Sequence, residues 1–277
     1  MSSMLKTKGG TLAYDDLGSG VPVVMLPGMG DLRSSYRFTV PALSAAGYRA
    51  ISVDVRGMGD TSAVWDDYSV GAVGRDALRV VEALDAGPAH IVGNSMGAGA
   101  AVVAAAERPE LVRSITLVGP FVRDVMPPWA AKVLFGALLG GPWRAALWDW
   151  YGRLAFPQRQ PPDFAAEAGR RRTNLREPGR FAAFRRMAVA SKRESERRLA
   201  DVAKPVLVVM GSKDPDFPDP AREAQRVAAA LQGESILIDG AGHYPQADSP
   251  DAFSRALLGF LASVDATGGR RPARLVS

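Results

Sequence analysis

Short runs rich in valine and isoleucine recur along the chain, separated by stretches with helical spacing. The clearest runs are residues 22–26 (PVVML), 50–55 (AISVDV), 89–92 (AHIV), 114–118 (SITLV), 206–210 (VLVVM) and 235–238 (SILI). A strand that is apolar along its whole length, rather than at every second residue, has to be covered on both faces. The intervening stretches can supply that cover. In YSVGAVGRDALRVVEALDAG, Val70, Val73, Ala77, Val80, Val81 and Leu84 recur at helical spacing, Ser69 stands as N-cap, and Gly87-Pro88 marks the end. Alternation of this kind predicts an α/β fold, a mainly parallel sheet with helices on both faces. A short opening hairpin is expected around residues 12–17.

The alternation fails between about residues 121 and 200. This stretch holds Trp129, Trp143, Trp148 and Trp150, several prolines and then arginine-rich helical sequence, with no convincing strand. Sheet rhythm returns at KPVLVVMG. The expected organisation is a core of residues 1–120 and 201–262, a helical insertion at 121–200, and a disordered tail at 263–277. Net charge is +5, but residues 159–198 carry twelve Lys or Arg against five Asp or Glu, so the basicity is regional. No nucleic-acid recognition motif accompanies it, which favours a solvated helical face over a nucleic-acid surface. The absence of cysteine excludes disulfides, thiolate metal sites and a cysteine nucleophile. MSSMLKTKGG lacks the apolar core of a signal peptide and no run approaches a membrane span, so a cytoplasmic protein without membrane insertion is expected.

In HIVGNSMGAGAAVVAAA, residues 90–106, an apolar strand passes through Gly93-Asn94-Ser95-Met96-Gly97 into an alanine-rich helix. A strand that turns into a helix through Gly-x-Ser-x-Gly leaves the serine on a strained bend, its hydroxyl projecting above the sheet edge. Glycine on either side removes Cβ atoms that would collide there. The helix N-terminus then favours negative charge developing beside the serine. This geometry exposes a nucleophile.

A serine hydroxyl needs a base to take its proton, and the chain has two histidines. His90 opens the strand that ends at Ser95, which places it about 16 Å away at the opposite sheet edge. His243, in the loop after the last strand, remains as the base. An acid must orient it, and GSKDPDFPDP offers Asp214, Asp216 and Asp219 just after a strand. Asp214, nearest the strand end and followed by proline, is the first choice and Asp216 the alternative. The backbone N–H groups of Met96 and of Met29, in the turn Pro27-Gly28-Met29-Gly30, are the expected oxyanion donors.

With the order Ser95, Asp214, His243 on an alternating chain, the sequence resembles the α/β-hydrolase fold superfamily. The likeness covers roughly residues 10–120 and 200–262. It includes DVRGMGDT, similar to the D-x-R-G-x-G-x-S segment of that family, and GAGHYPQADSP, similar to its G-x-G-H loop. The resemblance implies an eight-stranded, mostly parallel sheet, an active site at its carboxyl edge, and a lid over residues 121–200. It also implies structural rather than catalytic roles for Asp54 and Arg56. The chain departs from the pattern at Pro27, where many members have histidine, and at Thr61, where serine is usual.

Dehalogenases and epoxide hydrolases of the family use aspartate at this corner, so Ser95 argues against both. The expected activity is hydrolysis of a carboxylic ester or lactone, with a small to medium apolar substrate and no metal or other cofactor. Trp129, Trp143 and Trp148 are candidate pocket walls. A carbon–carbon bond hydrolase, a cofactor-free perhydrolase or haloperoxidase, and a ligand receptor on the same scaffold stay open as alternatives. The expected partner is a small molecule rather than nucleic acid.

Overall fold

The computed structural model describes residues 2–141 and 143–268. Eight strands, β1 (Ser2–Thr7), β2 (Gly10–Leu17), β3 (Pro22–Leu26), β4 (Arg49–Val53), β5 (Ala89–Asn94), β6 (Val112–Val118), β7 (Val206–Gly211) and β8 (Glu234–Ile238), form one sheet. Their order is β1-β2-β4-β3-β5-β6-β7-β8. β1 and β2 form an antiparallel hairpin, and β2 runs antiparallel to β4. Every other neighbouring pair is parallel.

Helices α1 (Thr39–Ala45), α2 (Val70–Leu84) and α3 (Met96–Glu107) lie within the first half of the chain. Between β6 and β7 come α4 (Pro128–Gly140), α5 (Arg144–Leu154), α6 (Phe164–Arg176), α7 (Arg180–Ala188) and α8 (Arg193–Arg198), with no strand among the described residues. The chain then adds α9 (Pro220–Ala230), the short α10 (Pro245–Asp248) and α11 (Pro250–Ala266). Among the described residues, no helix is long and apolar enough to cross a membrane.

The two-sided burial of the strands follows from their period of two. In β3, Val23 and Met25 pack with Leu43 of α1 and Phe253, Leu257 and Leu261 of α11. Val24 and Leu26 belong to the opposite cluster, with Val73 and Val80 of α2 and Ala101 and Val102 of α3. α3 is buried over most of its length and is built of alanine, glycine and valine, so α2 and the sheet can both approach it closely. Ser69 caps α2 by accepting the Ala72 N–H at 3.2 Å.

Three expectations change. The opening hairpin is longer than residues 12–17, because β1 is an edge strand of alternating exposure that carries no apolar run. The tail does not begin at residue 263, since α11 continues to Ala266 and buries Val264. Residues 269–277 lie outside the described residues. The arginine-rich stretch is only partly a solvated face. Arg171 pairs with Asp31 at 3.1 Å, Arg180 donates to the Thr61 carbonyl, and Arg186 donates to the Trp65 carbonyl at 2.9 Å. These arginines fasten the helical segment to core loops.

Candidate active site

Ser95 sits where β5 becomes α3, with φ 56° and ψ −117°. A non-glycine residue rarely holds such a backbone. The flanking glycines explain how it fits. A Cβ on Gly93 would stand 2.1 Å from the Gly97 oxygen, and one on Gly97 would stand 2.5 Å from the Leu26 oxygen. Gly93→Ala is therefore expected to lower stability by about 3 kcal/mol or more, roughly 10 °C in Tm, because the obstacle is backbone and cannot rotate away. Gly136→Ala, with nothing within 4 Å of the added Cβ, is the matched control. Equal melting temperatures for the two variants would contradict this account of the corner.

The buried His243 ring faces Asp214 and Asp216. Nδ1 lies 2.8 Å from Asp214 Oδ2 and 3.3 Å from Asp216 Oδ2. The Asp214 side chain is fully buried and its other oxygen accepts the Asp216 N–H at 3.0 Å. Asp216 is partly exposed and accepts the Tyr151 hydroxyl of α5 at 2.7 Å. A carboxylate only accepts, so the neutral imidazole carries its proton on Nδ1 and leaves Nε2 as the basic nitrogen. Burial opposes the imidazolium, but Asp214 and Asp216 outweigh it and raise the His243 pKa to about 9.

Backbone and side-chain contacts gather the loops around this pair. Asn94 Nδ2 donates to the Val118 oxygen at 3.2 Å and to the His243 oxygen at 3.1 Å, so the residue before Ser95 fastens the histidine loop. The Phe121 N–H donates to the Ser95 oxygen at 3.3 Å, and the Phe121 ring meets the His243 ring edge-on at 6.0 Å. Met96 opens α3, so its N–H has no carbonyl one turn earlier within that helix. Met29 lies in the turn after β3. Among the described residues, neither N–H bonds a backbone acceptor outside its own helix or strand.

Ser95, Met29 and Met96 line a cavity of about 350 Å³, whose walls include Phe121, Phe135, Leu139, Trp148 and Phe184. Trp148, a candidate pocket wall, lines this cavity. Trp129 and Trp143 do not: they are 71% and 57% exposed and stand outside the wall. Trp129 lies on α4, a mostly apolar helix, and Trp143 stands in the turn before α5, so sequence periodicity gave no inner side to choose for either. Trp150, a tryptophan not singled out as a pocket wall, does line the cavity.

His90 is buried at the far end of β5, bonded through Nδ1 to Ser114 Oγ at 2.7 Å. Burial holds it neutral, with a pKa lowered to about 4, and it belongs to the core. Asp54 is fully buried and accepts the Arg33 and Asp60 N–H groups at 2.8 and 2.9 Å, while Arg56 grips Asp76 with two bonds of 2.8 Å. Both are structural ties. Thr61 keeps a bond to the Asp54 carbonyl at 2.7 Å, so its extra methyl group changes no partner. Asp214, Asp216 and His243 place three possible ligand atoms within 4.8 Å of one another. A metal ion there would displace the proton that lies between Nδ1 and Asp214.

Residues 23–256 match the sequence model of the alpha/beta hydrolase family. The chain belongs to that family. Among relatives of this alpha/beta hydrolase, the "Putative non-heme bromoperoxidase BpoC" of Mycobacterium tuberculosis is 33% identical over 262 residues, covering 92% of this chain and 99% of the relative. The 2-hydroxy-6-oxo-6-phenylhexa-2,4-dienoate hydrolase of Burkholderia cepacia is 31% identical, covering 90% of each. Among solved structures, a bromoperoxidase from Bacillus anthracis superposes with a TM-score of 0.78 at 21% identity, over 95% of this chain and all of that one, a likeness of fold alone.

Sequence reasoning left out Asn94, Phe121 and Tyr151 of this hydrolase. Asn94 sits inside the quoted corner, and its amide could have been considered as a clamp. Tyr151 reaches Asp216 across 65 residues of sequence, a pairing that no local pattern encodes.

Proposed function

We propose that this alpha/beta hydrolase cleaves a carboxylic ester or lactone of a small to medium apolar substrate through an acyl-enzyme on Ser95. The observation that carries the reading is the strained Ser95 corner opening into an apolar cavity beside a His243 already held by Asp214. Residues 121–200 act as a lid that walls the acyl site. Ser95 Oγ attacks the carbonyl carbon and gives its proton to His243 Nε2. Asp214 holds the Nδ1 proton and stabilises the imidazolium. The Met29 and Met96 N–H groups stabilise the oxyanion. Collapse of the tetrahedral intermediate expels the leaving oxygen, which takes the proton from Nε2. Water then gives a proton to the same nitrogen and attacks the acyl carbon, the bond to Ser95 Oγ breaks, and Oγ recovers that proton from Nε2 as the acid leaves.

A panel of p-nitrophenyl esters from acetate to laurate tests the reading. Turnover should rise with acyl length and then fall once the chain outgrows the cavity. A folded enzyme that turns over no member, with Ser95 unreactive to a fluorophosphonate, would overturn it. The mechanism also fixes a pH dependence. Catalysis needs neutral His243, so kcat/KM should climb with pH through an apparent pKa well above the ordinary imidazole value of about 6.5. A limb at or below that value would contradict the two-carboxylate environment.

A carbon–carbon bond hydrolase is the second reading. Arg123, which also pairs with Glu223 at 3.0 Å, and Lys192 line the cavity together with Asp124 and Asp216, and either cation could meet a substrate carboxylate of the kind named in the Burkholderia relative. Decay of a dienoate chromophore faster than any ester turnover would favour it.

A further inference from the structure

The outer face of α4 and α5 carries a surface that hydrolysis does not use. Trp129, Val133 and Leu134 on α4, Trp143 between the helices, and Trp150 and Leu154 on α5 are each between 41% and 71% exposed. A helix at a protein surface ordinarily turns polar side chains to water. Here the inner faces already supply apolar side chains to the cavity, among them Phe135, Leu138, Leu147 and Trp148. The helix pair is therefore apolar on both sides, more than a solvent-facing surface requires.

The charges on this face have one sign. Lys132 and Arg153 are exposed, while the Arg144 guanidinium turns back over the Phe181 ring of α7 at 4.5 Å. Asp149 is the one carboxylate in residues 128–154, and it is paired with Arg172 at 3.1 Å. Tryptophan and leucine interspersed with lysine and arginine, without free acid, is the composition of a surface that lies in a lipid headgroup layer. A symmetric contact with a second copy would bring two sets of these cations together, which is unfavourable. An anionic bilayer would neutralise them.

We propose that the outer face of α4 and α5 docks peripherally on an anionic lipid surface. Trp150 both lines the cavity and is 59% exposed, so it stands at the rim. Docking on this face would set that rim against the acyl region, where apolar substrates concentrate.

Cosedimentation of the 277-residue chain with vesicles tests the docking without requiring turnover, so it stands or falls separately from the esterase reading. The probes are phosphatidylcholine alone and phosphatidylcholine with about 30% phosphatidylglycerol. The wild type should partition at least about tenfold more strongly to the anionic vesicles, and the preference should fade in high salt. Lys132→Glu should weaken anionic binding by about fivefold or more. The double variant Trp129→Ser/Val133→Ser should lose about tenfold or more on both vesicles. Neither variant touches the cavity wall, so both should keep wild-type melting and hydrolysis of p-nitrophenyl acetate. Absence of wild-type binding to either vesicle would overturn the proposal, as would binding that both variants leave unchanged. A concentration-dependent dimer abolished by Trp129→Ser/Val133→Ser would also overturn it, by showing that a second copy covers the face.

Discussion

Ser95→Ala should lower kcat/KM for a p-nitrophenyl ester by about 10⁴-fold or more while leaving the melting temperature nearly unchanged. The separation of the two effects follows from where the hydroxyl sits. Ser95 precedes α3, yet its side chain caps no helix N–H, and it faces the cavity. Removing Oγ takes away the bond-forming atom but no contact of the fold. His243→Ala should cost a similar factor in rate, with a measurable loss of stability, because Asp214 would be left buried without its partner. The double variant should be no slower than the slower single variant, since nucleophile and base act as one unit. Initial rates and thermal melts on the four proteins decide the matter. A Ser95→Ala enzyme within tenfold of wild type would end the acyl-enzyme mechanism.

Asp214→Asn should reduce kcat/KM by about 10³-fold, whereas Asp216→Asn should cost about tenfold or less. The two residues stand almost side by side in sequence and both face Nδ1, so the difference rests on geometry. Asp214 is closer to the ring, fully enclosed, and has its second oxygen fixed by a backbone N–H. Asp216 is farther, partly exposed, and already accepts the Tyr151 hydroxyl. An amide at position 214 could present its NH₂ to Nδ1 and stabilise the wrong tautomer. An amide at position 216 would remove one nearby charge, and the rising limb of the pH profile should move to lower pH with only a modest loss of maximal rate. A larger loss at 216 than at 214 would reassign the acid.

The strained strand-to-helix corner at Ser95 was legible in the sequence because its constraint is local. Gly93, Ser95 and Gly97 satisfy backbone sterics that operate within five residues, and the strand and helix patterns on either side locate them. The pairing of His243 with an aspartate was legible for another reason: with only two histidines, the position of His90 at the far end of a strand left His243 as the candidate base. The parallel core strands could be read from unbroken apolar runs, as in Val23 to Leu26, because both faces are buried.

What was not legible depends on how distant segments meet. β1 alternates between exposed and half-buried residues and pairs only at the sheet edge, so it lacked the pattern that marks the inner strands. The basic residues of α6 and α7 read as solvent-facing until Asp31 and the Thr61 and Trp65 carbonyls were found opposite them. Trp148 and Trp143 are five residues apart in chemically similar surroundings, yet one faces the cavity and the other water. Only the packing of α5 against α7, through Trp148 on Phe184 at 4.6 Å, separates them.

The left-handed backbone at Ser95 bears on how this protein could be improved. A side-chain-bearing residue held there costs about 1–3 kcal/mol, and the surrounding sheet and helix must supply it. Glycine at position 95 would adopt the same torsions without that strain, and a looser corner would release it altogether. Selection for heat tolerance alone would therefore enrich chains that have lost Ser95, the proposed nucleophile. Any programme to toughen this enzyme has to screen for turnover in the same round, and should seek its gains in the sheet, the helix caps and the arginine ties instead.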